Sequence, residues 1–321
     1  MHLLRLKRSL SLDNRKRVAI SVGDLNGIGL ELAFRNHLKI SNFVDPIYMI
    51  DREMTSQGAK LLDLKIPKDF KTVENIGDFF KISPAETSSK SGKYSYNSFM
   101  KGIEFVKDGS ADSIITLPIN KEAWNLAGID YKGHTDALRD IFKRDAIMLM
   151  GTPKMYVALF TEHIPYSKVP ENLTKEKLYN FLKNLYQVIP NIEKIGVLGL
   201  NPHSGDNGVL GDEERIIEKA VDKINMEIGR ELFSQPLVPD IAFTPYMREI
   251  YKFYVAIYHD QGLIPLKTLY FNEAINISLN IPIVRVSVGH GTAFDRAYKK
   301  DVKLNSESYI NAVKLARDWK I

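Results

Sequence analysis

The chain has 321 residues, 44% apolar and 26% charged, which is material for one large or two medium cored domains and excludes a disordered or fibrous protein. No apolar stretch approaches the ~20 residues of a bilayer crossing, and the net charge of +5 comes with no basic stripe interleaved with aromatics, so neither a membrane nor a nucleic acid is an expected partner. With no cysteine, disulfides and thiolate ligands are excluded, and any metal must be held by His, Asp, Glu or water.

Residues 1–17 carry Arg5, Lys7, Arg8, Arg15, Lys16 and Arg17 around a few leucines. They lack the long apolar centre of a secretory signal and read as a flexible basic leader, which sets a cytoplasmic expectation. Beyond them, short β-rich apolar runs alternate with segments of helical period. Residues 18–22 precede 28–39, 47–50 precede 53–64, and 99–107 precede 114–116. The rhythm continues through 155–160, the helical 175–188, 195–200, the charged helix 213–228, and 254–257. This predicts an α/β fold with a mostly parallel sheet covered by helices. No Pro/Gly/Ser linker marks a boundary, so two lobes, if present, would be intimately joined.

The first strand runs into Gly23-Asp24-Leu25-Asn26-Gly27-Ile28-Gly29, and Asp51 ends the next strand. That glycine spacing is not the G-x-G-x-x-G that brings backbone to a pyrophosphate, so the segment reads as a structural turn at the edge of an active site. A second glycine-rich loop, containing Gly205, Gly208 and Gly211, leads into a helix that opens with Glu213 and Glu214. Its glycines permit close approach to a ligand, while the acids suit the helix dipole with no ligand at all.

Five of the seven histidines lie in polar segments, several directly after an apolar strand: His134, His163, His203, His259 and His290. Neutral imidazole suits Zn, Co, Ni or Fe, and a catalytic site leaves a position open beside about three protein ligands. His163, His203 and His259 each follow a strand, which would place them on one rim of a sheet, and they are the candidate metal triad. Their spacing makes no local motif, and the alternative of hydrogen-bonded core or surface histidines stays open. Downstream, Lys267 and Arg285 could grip phosphate or carboxylate; Arg285 lies inside the apolar run 281–288 and needs either a ligand anion or one of the chain's own acids.

Three segments taken together, Gly199-Leu200-Asn201-Pro202-His203-Ser204-Gly205, Tyr258-His259-Asp260-Gln261-Gly262-Leu263 and Gly289-His290-Gly291-Thr292-Ala293-Phe294-Asp295, resemble the 4-hydroxythreonine-4-phosphate dehydrogenase family of pyridoxal phosphate biosynthesis. The resemblance runs from about Val18 to near the end. It implies a fold similar to the isocitrate and isopropylmalate dehydrogenases: two α/β/α lobes with an intervening cleft, here roughly 18–130 with 270–321, and 131–269 bearing dimer contacts. It implies a homodimer with the active site at the subunit interface. His163, His203 and His259 would hold one divalent ion per subunit (Zn, Co, Mg or Mn), drawn from both subunits. His134, Thr135, Lys267, Asn276 and Arg285 would contact a small phosphorylated substrate, with Lys267, Asp260 and Asp240 as the catalytic set. Gly289, His290, Gly291, Thr292 and Ala293, with Gly205 and Gly208, would meet NAD or NADP.

The implied reaction is oxidation of 4-(phosphooxy)-L-threonine at its C3 hydroxyl, then decarboxylation to 3-amino-2-oxopropyl phosphate. A dehydrogenase of phosphorylated threonate or erythronate would need nearly the same residues. A metal-dependent phosphatase without dinucleotide, or a metabolite-binding protein, are readings from other classes. The chain departs from the family pattern at Leu25 and Leu30, where prolines are usual, and at Arg296 and Tyr298, where small or apolar residues are commoner.

Overall fold

A computed structural model describes residues 15–189 and 192–319, so most of the basic leader lies outside the described residues. The run that begins at Val18 forms β1 (Arg17–Ser21), buried as a central parallel strand must be. The helical period after it forms α1 (Gly29–Ile40). β2 (Asp45–Met49) pairs in parallel with β1 and leads through α2 (Arg52–Leu62) to the short β3 (Lys71–Thr72), which pairs with β2. Then come α3 (Ser89–Lys107), β4 (Ser113–Thr116), which pairs in parallel with β1, and α4 (Lys121–Leu126).

α3 starts at Ser89, well before the apolar period at 99, because its first half is buried through serines. Ser95 Oγ donates to Gly92 O and accepts from Trp124 Nε1 at 2.8 Å, and Ser98 Oγ donates to Met49 O at 2.7 Å. A hydroxyl that is hydrogen-bonded can be buried at little cost, so this helix face carries no apolar signature.

The chain forms two compact units. The first runs to Ile129 and takes in Gly291–Leu304 and the stretch from Val313; the second is Asp130–His290 with Asn305–Ala312. The division drawn from sequence grouped 270–290 with the first lobe, whereas the strands of that segment pair inside the second unit.

The second unit contains α5 (His134–Phe142), β5 (Ile147–Thr152), β6 (Met155–Leu159), α6 (Val169–Asn172), α7 (Lys175–Val188), β7 (Ile195–Val197), α8 (Glu214–Ile228), α9 (Pro245–Ile250) and β8 (Phe253–Ala256). α10 (His259–Tyr270), β9 (Ile275–Leu279) and β10 (Arg285–Val288) follow, and α11 (Glu307–Asp318) closes the described chain. Strand order in this unit is β10-β9-β5-β6-β8-β7. β6, β8 and β7 are parallel, as the alternating pattern predicts, but β5 pairs antiparallel with both β6 and β9, and β9 with β10. Among the described residues no helix is long and apolar enough to cross a membrane.

Candidate active site

Because β6, β8 and β7 are parallel neighbours, their carboxyl ends share one rim, the usual place for ligands in an α/β sheet. His163 follows β6, His259 opens α10 just after β8, and His203 follows β7. Two pins hold the first pair. Thr161 gives both its main-chain N–H (3.1 Å) and its hydroxyl (2.7 Å) to Ile257 O, tying the exit of β6 to that of β8. Gln261 accepts from Ile257 N–H at 2.8 Å and donates from Nε2 to Gly199 O at 2.6 Å, tying the start of α10 to the segment beyond β7. The rings of His163 and His259 stand 5.6 Å apart, centroid to centroid, tilted by 44°. His259 Nδ1 meets Asp260 Oδ1 at 2.6 Å, which leaves Nε2 as the nitrogen turned toward a ligand.

His203 is placed differently. It begins a run in which His203, Ser204, Gly205, Asp206 and Asn207 all have positive φ, from 44° to 75°, a left-handed turn built mostly from non-glycine residues. Such backbone persists only where its surroundings enforce it. Glu214 supplies that enforcement: Oε1 accepts the N–H groups of Leu200 (2.8 Å) and Asn201 (2.7 Å), and Oε2 accepts Asn201 Nδ2 at 2.9 Å. The acid that could have been a mere dipole partner is the loop's anchor. His203 itself is exposed, and among the described residues no three His, Asp or Glu side chains of one chain converge as a metal site.

Two of the expected substrate contacts, Asn276 and Arg285, lie on one sheet face. Antiparallel register sets Asn276 opposite Ser287 on one side and Met150 on the other, with Arg285 opposite Ser278, so all five project alike. Met148 and Met150 pack with Leu263 and Leu266 of α10, so the helix that His259 opens covers this face. An added Cβ at Gly262 would meet Val157 Cγ1 at 2.5 Å, which shows how tightly α10 lies on the strands. Arg285 is 2% exposed and donates to Ser278 Oγ at 3.0 Å, and burial pulls its pKa down to about 9. The Asn276 Oδ1 atom is buried with no hydrogen-bond partner among the described residues, as expected of a group kept for a ligand. Lys267 is exposed on α10, while His134 and the buried Thr135 form the first turn of α5. Asp240 is exposed on a turn.

In the proposed dinucleotide segment, an added Cβ at Gly289 would lie 2.3 Å from Ala274 O, so only glycine fits there. Thr292 O accepts from Ile28 N–H at 3.1 Å, and Gly27 is pressed against Thr292, so the first glycine turn serves as a seat for this loop. Two of the residues that depart from the family pattern meet: Tyr298 Oη donates to Leu25 O at 2.7 Å. Sequence reasoning did not find Thr161, Gln261 or Glu214 as positioning groups. Gln261 stood within the recognised Tyr258–Leu263 segment, but nothing in its spacing marks a side chain that bridges two strand ends.

An α/β unit with paired imidazoles at its carboxyl rim, an amide and a buried arginine on the sheet face behind them, and an exposed lysine on the helix over that face is the equipment of an enzyme for small anionic substrates. The chain belongs to the family of the pyridoxal phosphate biosynthetic protein PdxA, which it matches over residues 42–316. It is 52% identical over 303 residues to the 4-hydroxythreonine-4-phosphate dehydrogenase of Sulfurimonas denitrificans, covering 94% of this chain and 97% of that one. To the enzyme of that name from Helicobacter pylori (strain HPAG1) it is 41% identical over 307 residues, with 94% and 98% covered. The crystal structure of 4-hydroxythreonine-4-phosphate dehydrogenase from Klebsiella pneumoniae superposes with a TM-score of 0.78 at 30% identity, over 94% of this chain and 98% of that one. A terephthalate 1,2-cis-dihydrodiol dehydrogenase from Burkholderia xenovorans shares the fold, with a TM-score of 0.64 at 22% identity. The chain is an enzyme of the dehydrogenase class.

Proposed function

We propose that the chain oxidises the secondary alcohol of 4-(phosphooxy)-L-threonine with NAD or NADP as acceptor and releases carbon dioxide, giving 3-amino-2-oxopropyl phosphate. It would do so as a cytoplasmic homodimer with each active site at the subunit interface. The observation that carries the reading is the pairing of His163 with His259 at the strand rim, in a chain whose curated relatives bear that dehydrogenase's name.

His163 and His259 of one protomer, with the partner's His203, would hold one divalent ion, Zn, Co, Mg or Mn. Neutral imidazoles leave the ion its full positive charge, and when bound it lowers the pKa of an alcohol and polarises the carbonyl formed from it. Two observations support a ligand set divided between subunits. Among the described residues of one chain, His163 and His259 meet and no group of three metal-binding side chains forms. Exposed apolar side chains also follow every histidine of the set within seven residues of sequence: Ile164 and Tyr166 after His163, Val209 and Leu210 after His203, and Ile264 after His259.

The chain's other groups bind and orient. Asp260 fixes the tautomer and direction of His259. Arg285, Lys267 and Asn276, with His134 and Thr135, would take the substrate's phosphate and carboxylate and hold the reacting carbon against the dinucleotide. Lys267 is the group proposed to receive the alcohol proton, with Asp240 proposed as a further catalytic acid. The dinucleotide would be held by Gly289, His290, Gly291, Thr292 and Ala293, with Gly205 and Gly208 as the further glycines proposed for it; an added Cβ at Gly291 would meet nothing within 4 Å.

The test is a turnover assay of purified, metal-loaded protein with the phosphorylated amino acid and each dinucleotide in turn. Reduced dinucleotide and carbon dioxide in equal amounts are expected. Phosphate release without reduced dinucleotide would make it a phosphatase, and faster turnover of phosphorylated threonate or erythronate would move the substrate to the hydroxy acids.

A further inference from the structure

α5 and the segment after β6 are joined by an ion pair that has no place in the reading so far. Arg139 Nη2 lies 2.5 Å from Glu162 Oε1, and the same guanidinium donates from Nε (3.2 Å) and Nη2 (2.7 Å) to Ala146 O. The Glu162 side chain is only 8% exposed, and its Oε2 is buried with no hydrogen-bond partner among the described residues. A buried carboxylate that leaves one oxygen unsatisfied is costly, and it persists where its placement fixes something else.

Each partner has a telling neighbour. Glu162 directly precedes His163 and follows Thr161, the residue that ties this segment to the one leading into His259. Arg139 lies four residues beyond Thr135 on α5, on the same side of the helix, and α5 opens with His134 and Thr135. The main chain turns tightly at His163, where Ile164 N–H donates to Glu162 O at 2.9 Å; His163 is exposed while the Glu162 side chain is held by Arg139.

We infer that the Arg139–Glu162 pair is a positioning device, which locks the His163 segment to the helix carrying His134 and Thr135 so that the metal-binding and substrate-binding parts of the site share one register. This rests on the reading of His163 as a metal ligand given above. Arg139 also lines an open polar depression of about 460 Å³ with Lys143, Arg144, Asn184, Gln187 and Asn280, so truncating its side chain leaves room for a small cation to take its place beside Glu162.

The experiment is calorimetric titration of the full chain with Co²⁺ or Zn²⁺ alone, run beside thermal unfolding. The variants are His163→Ala, Glu162→Gln, Arg139→Ala and Arg139→Lys. His163→Ala should abolish tight binding. Glu162→Gln and Arg139→Ala should weaken the metal Kd about 10- to 100-fold. Arg139→Lys should recover part of the loss, and millimolar guanidinium should recover part of the Arg139→Ala loss by taking the vacated place beside Glu162. If His163→Ala binds metal like the wild type, the site reading fails and this inference with it. If His163→Ala loses the metal while Glu162→Gln keeps wild-type affinity, the pair is a structural tie and the inference alone is overturned, whatever happens to the melting temperature. Should Arg139→Ala not fold, the near-isosteric Glu162→Gln decides the matter.

Discussion

The ring of His163 faces that of His259 at 5.6 Å across the ends of two parallel strands, and among the described residues no third His, Asp or Glu joins them as a metal-binding group. If the partner's His203 completes the set, inactive variants should complement one another. His163→Ala and His203→Ala would each be inactive alone, because every site lacks a ligand. Unfolded and refolded together in equal amounts, they should regain about a quarter of wild-type turnover, since half the dimers would be mixed and each mixed dimer has one intact site. No activity above the parental level in the mixture, with mixed dimers demonstrated by mass spectrometry, would return all three histidines to one chain.

Arg285 is a buried cation on the face that α10 covers, with Asn276 two register positions away on the neighbouring strand. If it grips an anionic end of the substrate in ground and transition states alike, Arg285→Ala should raise KM and leave kcat within a few-fold. The expected binding loss is about 2–5 kcal/mol, as for other truncated buried charge contacts. Arg285→Lys should fall between, because a lysine keeps the charge but not the two-pronged geometry. Steady-state kinetics with unchanged KM in Arg285→Ala would make the residue structural.

Asp24 gives a pH dependence whose sign is fixed by burial. The residue is fully buried, and desolvation, partly offset by hydrogen bonds from Asn26 N–H and Ser91 Oγ, raises its pKa from 3.8 to about 6. A carboxyl that holds its proton more tightly when folded favours the fold at low pH and loses that contribution as pH rises from about 4 to 6. Above pH 6 its ionised form costs roughly 3 kcal/mol. Asp24→Asn keeps an acceptor for Asn26 and removes the charge, so its urea-unfolding free energy should exceed wild type by about 1–3 kcal/mol at pH 7.5, with the gap shrinking toward pH 5. A gap that is constant over that range would show that folding does not raise the Asp24 pKa.

Gly262 sets how closely the His259 helix approaches the sheet. A methyl group there would meet Val157 Cγ1 at 2.5 Å and Ala256 Cβ at 2.9 Å, neither at the end of a long flexible chain. Gly262→Ala should therefore lower stability by about 1–3 kcal/mol, despite alanine's better helix propensity, and weaken metal binding by shifting His259. Denaturant titration that finds the variant more stable would mean that α10 can lift off the strands freely.

Much of the scaffold was legible where burial is apolar. Residues 175–188 coincide with α7, and the charged period at 213–228 falls within a residue of α8. The reading stopped where burial is polar or local rules are broken. The front half of α3 hides behind hydrogen-bonded serines, and α10 contains Pro265, which removes a helical N–H and makes a helix look like a loop. The antiparallel β9 and β10 could not be assigned to a unit from 281–288 alone, because pairing partners are not written in a strand's own period. The rim histidines were legible because each follows an apolar strand, but what aims them was not. Thr161, Gln261 and Glu214 act on main-chain groups, and no side-chain pattern records such partners.

One buried hydroxyl near the end of the chain extends the site's foundations farther than the histidines suggest. Ser308 Oγ accepts from Gly289 N–H at 2.8 Å and donates to Ala274 O at 2.7 Å, riveting the exit of β10 to the entry of β9. A protein trimmed just before α11 would keep every imidazole as well as Lys267 and Arg285, yet it would release the hairpin on which Arg285 and Asn276 are mounted. The terminal helix is thus a keystone, and a tag or fusion appended after it needs a spacer long enough to leave that hydroxyl in place.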